Sequence, residues 1–123
     1  MNRQYALFME IKLIQKDTIT IAEVTAEDVI ISEVQDALDI MADCSYQGAE
    51  KIIFYEKNLH PDFFDLKTKL AGDILQKFSN YRMSMAIVGD FSKYTSKSLR
   101  DFIYESNKGG RIRFVSSREE ALN

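Results

Sequence analysis

The chain has 123 residues, 46% of them hydrophobic, enough to build one core over residues 1–123 with no room for a second domain. Sixteen Lys or Arg stand against 19 Asp or Glu, and a net charge of -3 excludes a binder that holds nucleic acid by bulk charge. Cys44 is the one cysteine, so no disulfide can form within the chain. No apolar stretch approaches the ~20 residues of a membrane span, and residues 1–14, broken by Glu10 and Lys12, lack a signal-peptide pattern. The expected location is therefore the cytoplasm, without stable membrane insertion.

In chain order, Ala6 to Ile14 alternates around Leu7, Met9, Ile11 and Leu13, and Thr18 to Val24 alternates around Ile19 and Ile21. With Gln15-Lys16-Asp17 as the turn, this predicts an antiparallel hairpin with one wet face. Val29-Ile30-Ile31 reads as a short extended piece in the connection that follows. Ser32 and Gln35 have the spacing of a capping box, and Val34, Ala37, Leu38, Met41 and Cys44 then recur at helical intervals, predicting a helix over about 33–44. Lys51 to Tyr55 (KIIFY) is β-branched and aromatic, a strand.

Pro61 suits the first turn of a helix, and Phe63, Leu66, Leu70, Ile74 and Phe78 extend one apolar stripe over about 61–79. Gly72 inside that stripe predicts close packing against a neighbouring backbone. Met83 to Val88 is a buried strand ending in Gly89-Asp90, where Gly89 lets backbone approach closely, and Leu99, Phe102, Ile103 and Ser106 mark a helix over about 96–107 that Gly109-Gly110 ends. Arg111 to Val115 alternates charged and apolar residues as a last strand, and Ser117 with Glu120 caps a short terminal helix. Strands joined through helices imply parallel neighbours and right-handed crossovers. The expected fold is α/β: a mixed four- to five-stranded sheet with an antiparallel hairpin first, then parallel strands linked by helices mainly on one face.

The segments NLHPDFFDLKTKLAGDILQKF and YRMSMAIVGDFSKYTSKSLRDFIYESNKGGRIRFVSSREEAL, within residues 58–122, resemble a bacterial family of uncharacterised single-domain proteins. More distantly, the element order with AIVGD and SREEAL is similar to the STAS-like superfamily, which includes anti-sigma-factor antagonists and lipid-pocket relatives. That resemblance implies a noncatalytic regulatory or protein-interaction module. Such antagonists carry a phosphorylatable serine after the third strand. Here that turn reads Glu56-Lys57-Asn58-Leu59-His60-Pro61-Asp62 and holds no hydroxyl, so no phosphorylation switch is expected there.

In a parallel sheet, ligands meet the carboxyl ends of strands. Two loops belong there, and their candidate contact residues are Asn58, His60, Phe63 and Phe64 on the first, and Asp90, Phe91, Ser92, Tyr94, Thr95, Ser96 and Arg100 on the second. Thr95 or Ser96 either caps the next helix or joins an anion site at its free N–H groups with Lys93 and Lys97. No P-loop or Rossmann glycine pattern is present. Residues 82–113 carry seven Lys or Arg against three Asp or Glu, either an acidic-partner surface or ordinary solvated charge. Phe63 and Phe64 are adjacent, so one lines a pocket or a helix wedged between layers buries both.

His60, the only histidine, has no second His or nearby Cys for zinc. It could exchange protons with Asp62 or Asp65, but no nucleophile accompanies it, so catalysis and a cofactor are not expected. Cys44 reads as a buried hydrophobe. The function expected is docking of a protein partner on the 58–66 and 89–100 surfaces, with Phe64 and Tyr94 removable without loss of fold. A carrier of a small apolar ligand is the rival, holding it among Phe64, Leu70, Phe91, Tyr94 and Phe102. A homodimer is compatible with either.

Overall fold

The computed structural model describes residues 9–123. Ala6, Leu7 and Phe8 of the expected first strand lie outside them. The elements in order are β1 (Glu10–Lys16), β2 (Ile19–Thr25), α1 (Val34–Tyr46), β3 (Lys51–Tyr55), α2 (Leu70–Asn80), β4 (Ser84–Val88), α3 (Lys97–Asn107), β5 (Ile112–Val115) and α4 (Arg118–Leu122). They form one five-stranded sheet in the order β1-β2-β3-β4-β5, antiparallel between β1 and β2 and parallel thereafter. The expected mixed sheet with its opening hairpin is present. Its tight turn relies on Asp17 at φ 55°, a left-handed conformation that Asp tolerates better than most residues.

Strand residues alternate between two apolar clusters, as the two-residue period of a strand requires. Ala22, Val24, Ile52, Phe54, Met85, Ile87, Ile112 and Phe114 face the layer built by α1, α2 and α3, with Ile74, Phe78, Met41 and Leu99 among its buried side chains. Ile21, Ile53, Ala86 and Val115 face the other way and pack with Ala121 of α4. Helices thus lie mainly on one face, and α4 alone covers part of the second.

That cover changes the expectation of a wet face on the hairpin for β2 alone: Ile21 and Glu23 are buried on that face, while Glu10 and Lys12 of β1 stay exposed. Glu23, 6% exposed, sits under α4 and is fully paired. Arg118 donates through Nε to Oε2 at 2.9 Å and through Nη2 to Oε1 at 3.1 Å, and the Tyr55 hydroxyl donates to Oε2 at 2.6 Å. The Arg118 hydrogen bonds hold the Glu23 carboxyl below its usual range against the opposing effect of burial. Burial and the Glu23 carboxylate push the Tyr55 phenol up to about 12.

The predicted 61–79 helix is interrupted. Pro61–Phe64 and Leu66–Thr68 are separate 3₁₀ turns, and α2 begins only at Leu70. Local side-chain bonds divert the backbone: His60 Nδ1 accepts from Asp62 N at 3.0 Å, Asp65 Oδ1 from Lys67 N at 3.1 Å, and Thr68 Oγ1 from Leu70 N at 3.2 Å. Lys69, at φ 68°, is left-handed, which no continuous α-helix allows. The apolar stripe nevertheless works, because Phe63, Leu70, Ile74 and Phe78 are all buried.

Two smaller expectations also change. At the start of α1 the carboxylate of Asp36, in place of Gln35, accepts from the backbone N–H of Ser32 at 2.9 Å and Glu33 at 3.2 Å. Gly72 is exposed and a Cβ there would meet nothing within 4 Å, so it answers to no close packing. The other caps agree with expectation: Ser96 Oγ accepts from Leu99 N at 3.2 Å, and Ser117 Oγ from Glu120 N at 3.1 Å.

Candidate functional site

Parallel pairing brings the carboxyl ends of β2, β3, β4 and β5 to one end of the sheet. The loops 26–33, 56–69 and 89–96 therefore share a rim. Glu56, the first residue after β3, ties two of them together. Its carboxylate, 14% exposed, accepts a hydrogen bond from the Tyr94 hydroxyl at 2.6 Å and from Asp90 N at 3.2 Å, and pairs with Lys93 Nζ at 2.8 Å. Gly89 makes this approach feasible, since a Cβ there would sit 2.5 Å from Glu56 Oε1 and 2.6 Å from Glu56 Cβ. Burial, and then the adjacent carboxylate, raise the Tyr94 pKa, keeping the phenol protonated as a donor.

Beneath this polar tie the rings pack on one another. Phe64 stacks on Tyr94 with centroids 5.0 Å apart and planes at 15°, meets Phe63 edge-on at 5.1 Å, and lies 6.0 Å from Phe91. Phe91 and Phe102 abut Phe114 of β5 at 5.2 and 6.1 Å. The space that an apolar cargo was expected to fill among Phe64, Phe91, Tyr94 and Phe102 is thus taken by the rings themselves.

Asn58 anchors the third loop from inside. Its Nδ2 donates to the carbonyls of Ala26 at 2.9 Å and Asp28 at 2.8 Å, and its own carbonyl accepts from Ile30 N at 2.8 Å. Parallel bridging of Ile31 to Leu59 extends the seam.

The structure brings the two predicted loops together but turns several nominated side chains inward. Asn58 is fully buried, while Phe63 and Phe64 are 1% and 9% exposed, so all three build the rim from within. Both rings of the Phe pair are buried, and Phe64 also borders a groove at the rim. Phe91 and Tyr94 are half-buried, and Asp90, Ser92, Thr95, Ser96 and Arg100 are exposed. Asp90 Oδ1 accepts from the Ser92 hydroxyl at 2.6 Å and amide at 3.1 Å, bonds that keep its pKa below the ordinary value. Ser96 is the α3 cap. With Phe64 in the core and Tyr94 bonded to Glu56, the two cannot be removed without cost to the fold, contrary to expectation.

His60 lies 3.6 Å from the Asp62 carboxylate, yet its Nδ1 accepts the Asp62 amide proton. A nitrogen that accepts cannot also donate to that carboxylate, so the pair is not arranged as an oriented imidazole base. Among the described residues, no group of three or more His, Cys, Asp or Glu is placed to hold a metal ion. None of their helices is long and apolar enough to cross a membrane.

On the outer surface of the rim the candidate residues Phe64 and Tyr94 are joined by others that sequence reasoning did not nominate, Val29, Glu56, Lys57, Leu59 and Pro61. A groove of about 330 Å³ runs between Val29, Leu59 and Pro61 on one side and Phe64 and Tyr94 on the other, flanked by Lys57 and Lys93. Gly89 signalled a close approach, but nothing local identified Glu56 as its counterpart. A larger hollow of about 590 Å³ lies elsewhere, between α1 and the turn into β4, lined by Leu38, Met41, Tyr46, Tyr81 and Met83.

The family described as Domain of unknown function (DUF4180) matches residues 16–123. The chain belongs to the DUF4180 family. The match runs from the last residue of β1 to Asn123 and takes in every rim loop. No curated protein and no solved structure matches the chain.

Proposed function

We propose that this DUF4180 chain is a noncatalytic regulatory module of STAS-like type that docks a protein partner on the carboxyl-end rim. The supporting observation is a rim tied together by its own side chains: Glu56 locks the 89–96 loop to β3 beside a groove whose apolar walls stand between two lysines. An apolar side chain of a partner segment fits between Val29 and Pro61, and an adjacent acidic group meets Lys57. A prebuilt groove loses little freedom on binding, which favours recognition by a small surface. The STAS-like assignment draws on the hairpin followed by strands laid down in sheet order through one-sided helices. The imidazole of His60, engaged by a backbone amide, supports a noncatalytic reading. A bacterial cytoplasmic setting accords with a single, buried thiol.

Val29 and Lys57 are both exposed, so their replacement spares the core. Affinity purification from the native host is expected to enrich a specific partner with the parent chain and lose it with Val29→Glu/Lys57→Glu, the melting temperature being unchanged. Equal recovery of the same proteins by both chains overturns the proposal.

A further inference from the structure

The two edges of the sheet are treated differently. At β5, Asn107 blocks the edge: its Oδ1 accepts from Phe114 N at 2.7 Å and its Nδ2 donates to Phe114 O at 3.1 Å. β1 is the other edge: among the described strands it pairs with β2 alone, over seven residues in unbroken register, and presents its far side as a template. Leu13, 43% exposed, stands in the middle of that strand.

The strand reads Glu10-Ile11-Lys12-Leu13-Ile14-Gln15-Lys16. Ile14 packs in the cluster on the α4 side, so Glu10, Lys12 and Lys16 share that face, while Ile11 and Leu13 face the other way. A two-fold axis between two β1 edges gives antiparallel pairing, and opposed residues must point to the same face, so the axis passes through one residue. An axis at Lys12 sets that lysine against its own copy. An axis at Ile14 sets Lys12 against Lys16. An axis at Leu13 pairs all seven residues: Leu13 meets Leu13, Ile11 meets Gln15, Lys12 meets Ile14, and Glu10 meets Lys16 twice. Like charges opposite one another disfavour the first two registers, and opposite charges favour the third.

We propose that a second copy of this chain docks antiparallel on β1 with the two-fold axis at Leu13, giving a continuous ten-stranded sheet. The occupant is specified by charge complementarity of the strand with itself, and the pairing covers the exposed Leu13. This interface is separate from the rim and stands or falls independently of it.

Sedimentation velocity on the full chain at about 100 μM is expected to show a dimer, a range in which cross-strand pairs decide the association. Glu10→Lys and Lys16→Glu, each placing like charges opposite one another at two points, are expected to raise the dissociation constant about tenfold. The double variant Glu10→Lys/Lys16→Glu reverses both ends and restores the parent value, a recovery that damage to the fold would not produce. Leu13→Glu sets two carboxylates on the axis and yields monomer with an unchanged circular dichroism spectrum. A parent chain that is monomeric at this concentration overturns the proposal, as does a dimer indifferent to the single charge reversals or to Leu13→Glu.

Discussion

Gly89 and Glu56 illustrate how single residues set the rim. The missing side chain at position 89 is a steric requirement, because the space belongs to the Glu56 carboxylate and its Cβ. Gly89→Ala is expected to destabilise the fold by about 1–3 kcal/mol, the usual cost of forcing an atom into packed space. Urea denaturation measures that loss, and a shift of the Tyr94 ring resonances in NMR spectra reports its detachment from Glu56. A glycine at a strand end was legible in sequence as a point of close approach. Its partner was not, since a glutamate beginning a loop looks like any solvated charge. Asn58 and Phe64 show the converse: polar and aromatic residues in a predicted loop read as contact groups, whereas here one satisfies buried carbonyls and the other is core.

At the scale of elements, the strands and α3 followed from apolar runs and caps, because those signals are local. The stretch from Pro61 to Lys69 did not, since turns of 3₁₀ helix place apolar residues at nearly the same spacing as an α-helix. The competition was decided by short-range bonds from His60, Asp65 and Thr68 that periodicity does not register. The burial of Ile21 and Glu23 on the second face of β2 was likewise hidden, because Ala121 and Arg118, which pack there, lie nearly the whole chain away.

That cover is pH-sensitive in a defined direction. The Glu23 carboxyl titrates below its ordinary 4.5 in the folded chain, so the unfolded chain binds the proton first as pH falls. The Arg118 contact therefore contributes fully above pH 4.5 and is lost as pH drops through the lowered value. Arg118→Met is expected to be less stable than the parent at pH 7 and to lose stability less steeply below pH 4.5, as followed by thermal melts across that range. Some slope will remain from Glu120, whose carboxyl the Ser116 hydroxyl bond also holds low.

For the whole molecule, Cys44 provides a reporter. It has no exposed surface, and burial pushes its thiol up to about 12, so almost no reactive thiolate exists in the folded chain at neutral pH. Alkylation is expected to proceed only through opening of the core, with its rate rising with urea in step with global unfolding. Rapid labelling without denaturant would mean that α1 lifts from the sheet on its own. The architecture was legible at this scale because helical crossovers between successive strands leave few topologies. What it left open was which loop atoms meet at the strand ends, a matter of three-dimensional fit.

The consecutive strand order has a consequence for how the chain is made. Each crossover lays its strand outside the previous one, so none must be inserted between two that are already joined. As the polypeptide leaves the ribosome, every new unit finds its docking edge waiting, and α4, with Arg118 meeting Glu23, then covers part of the second face.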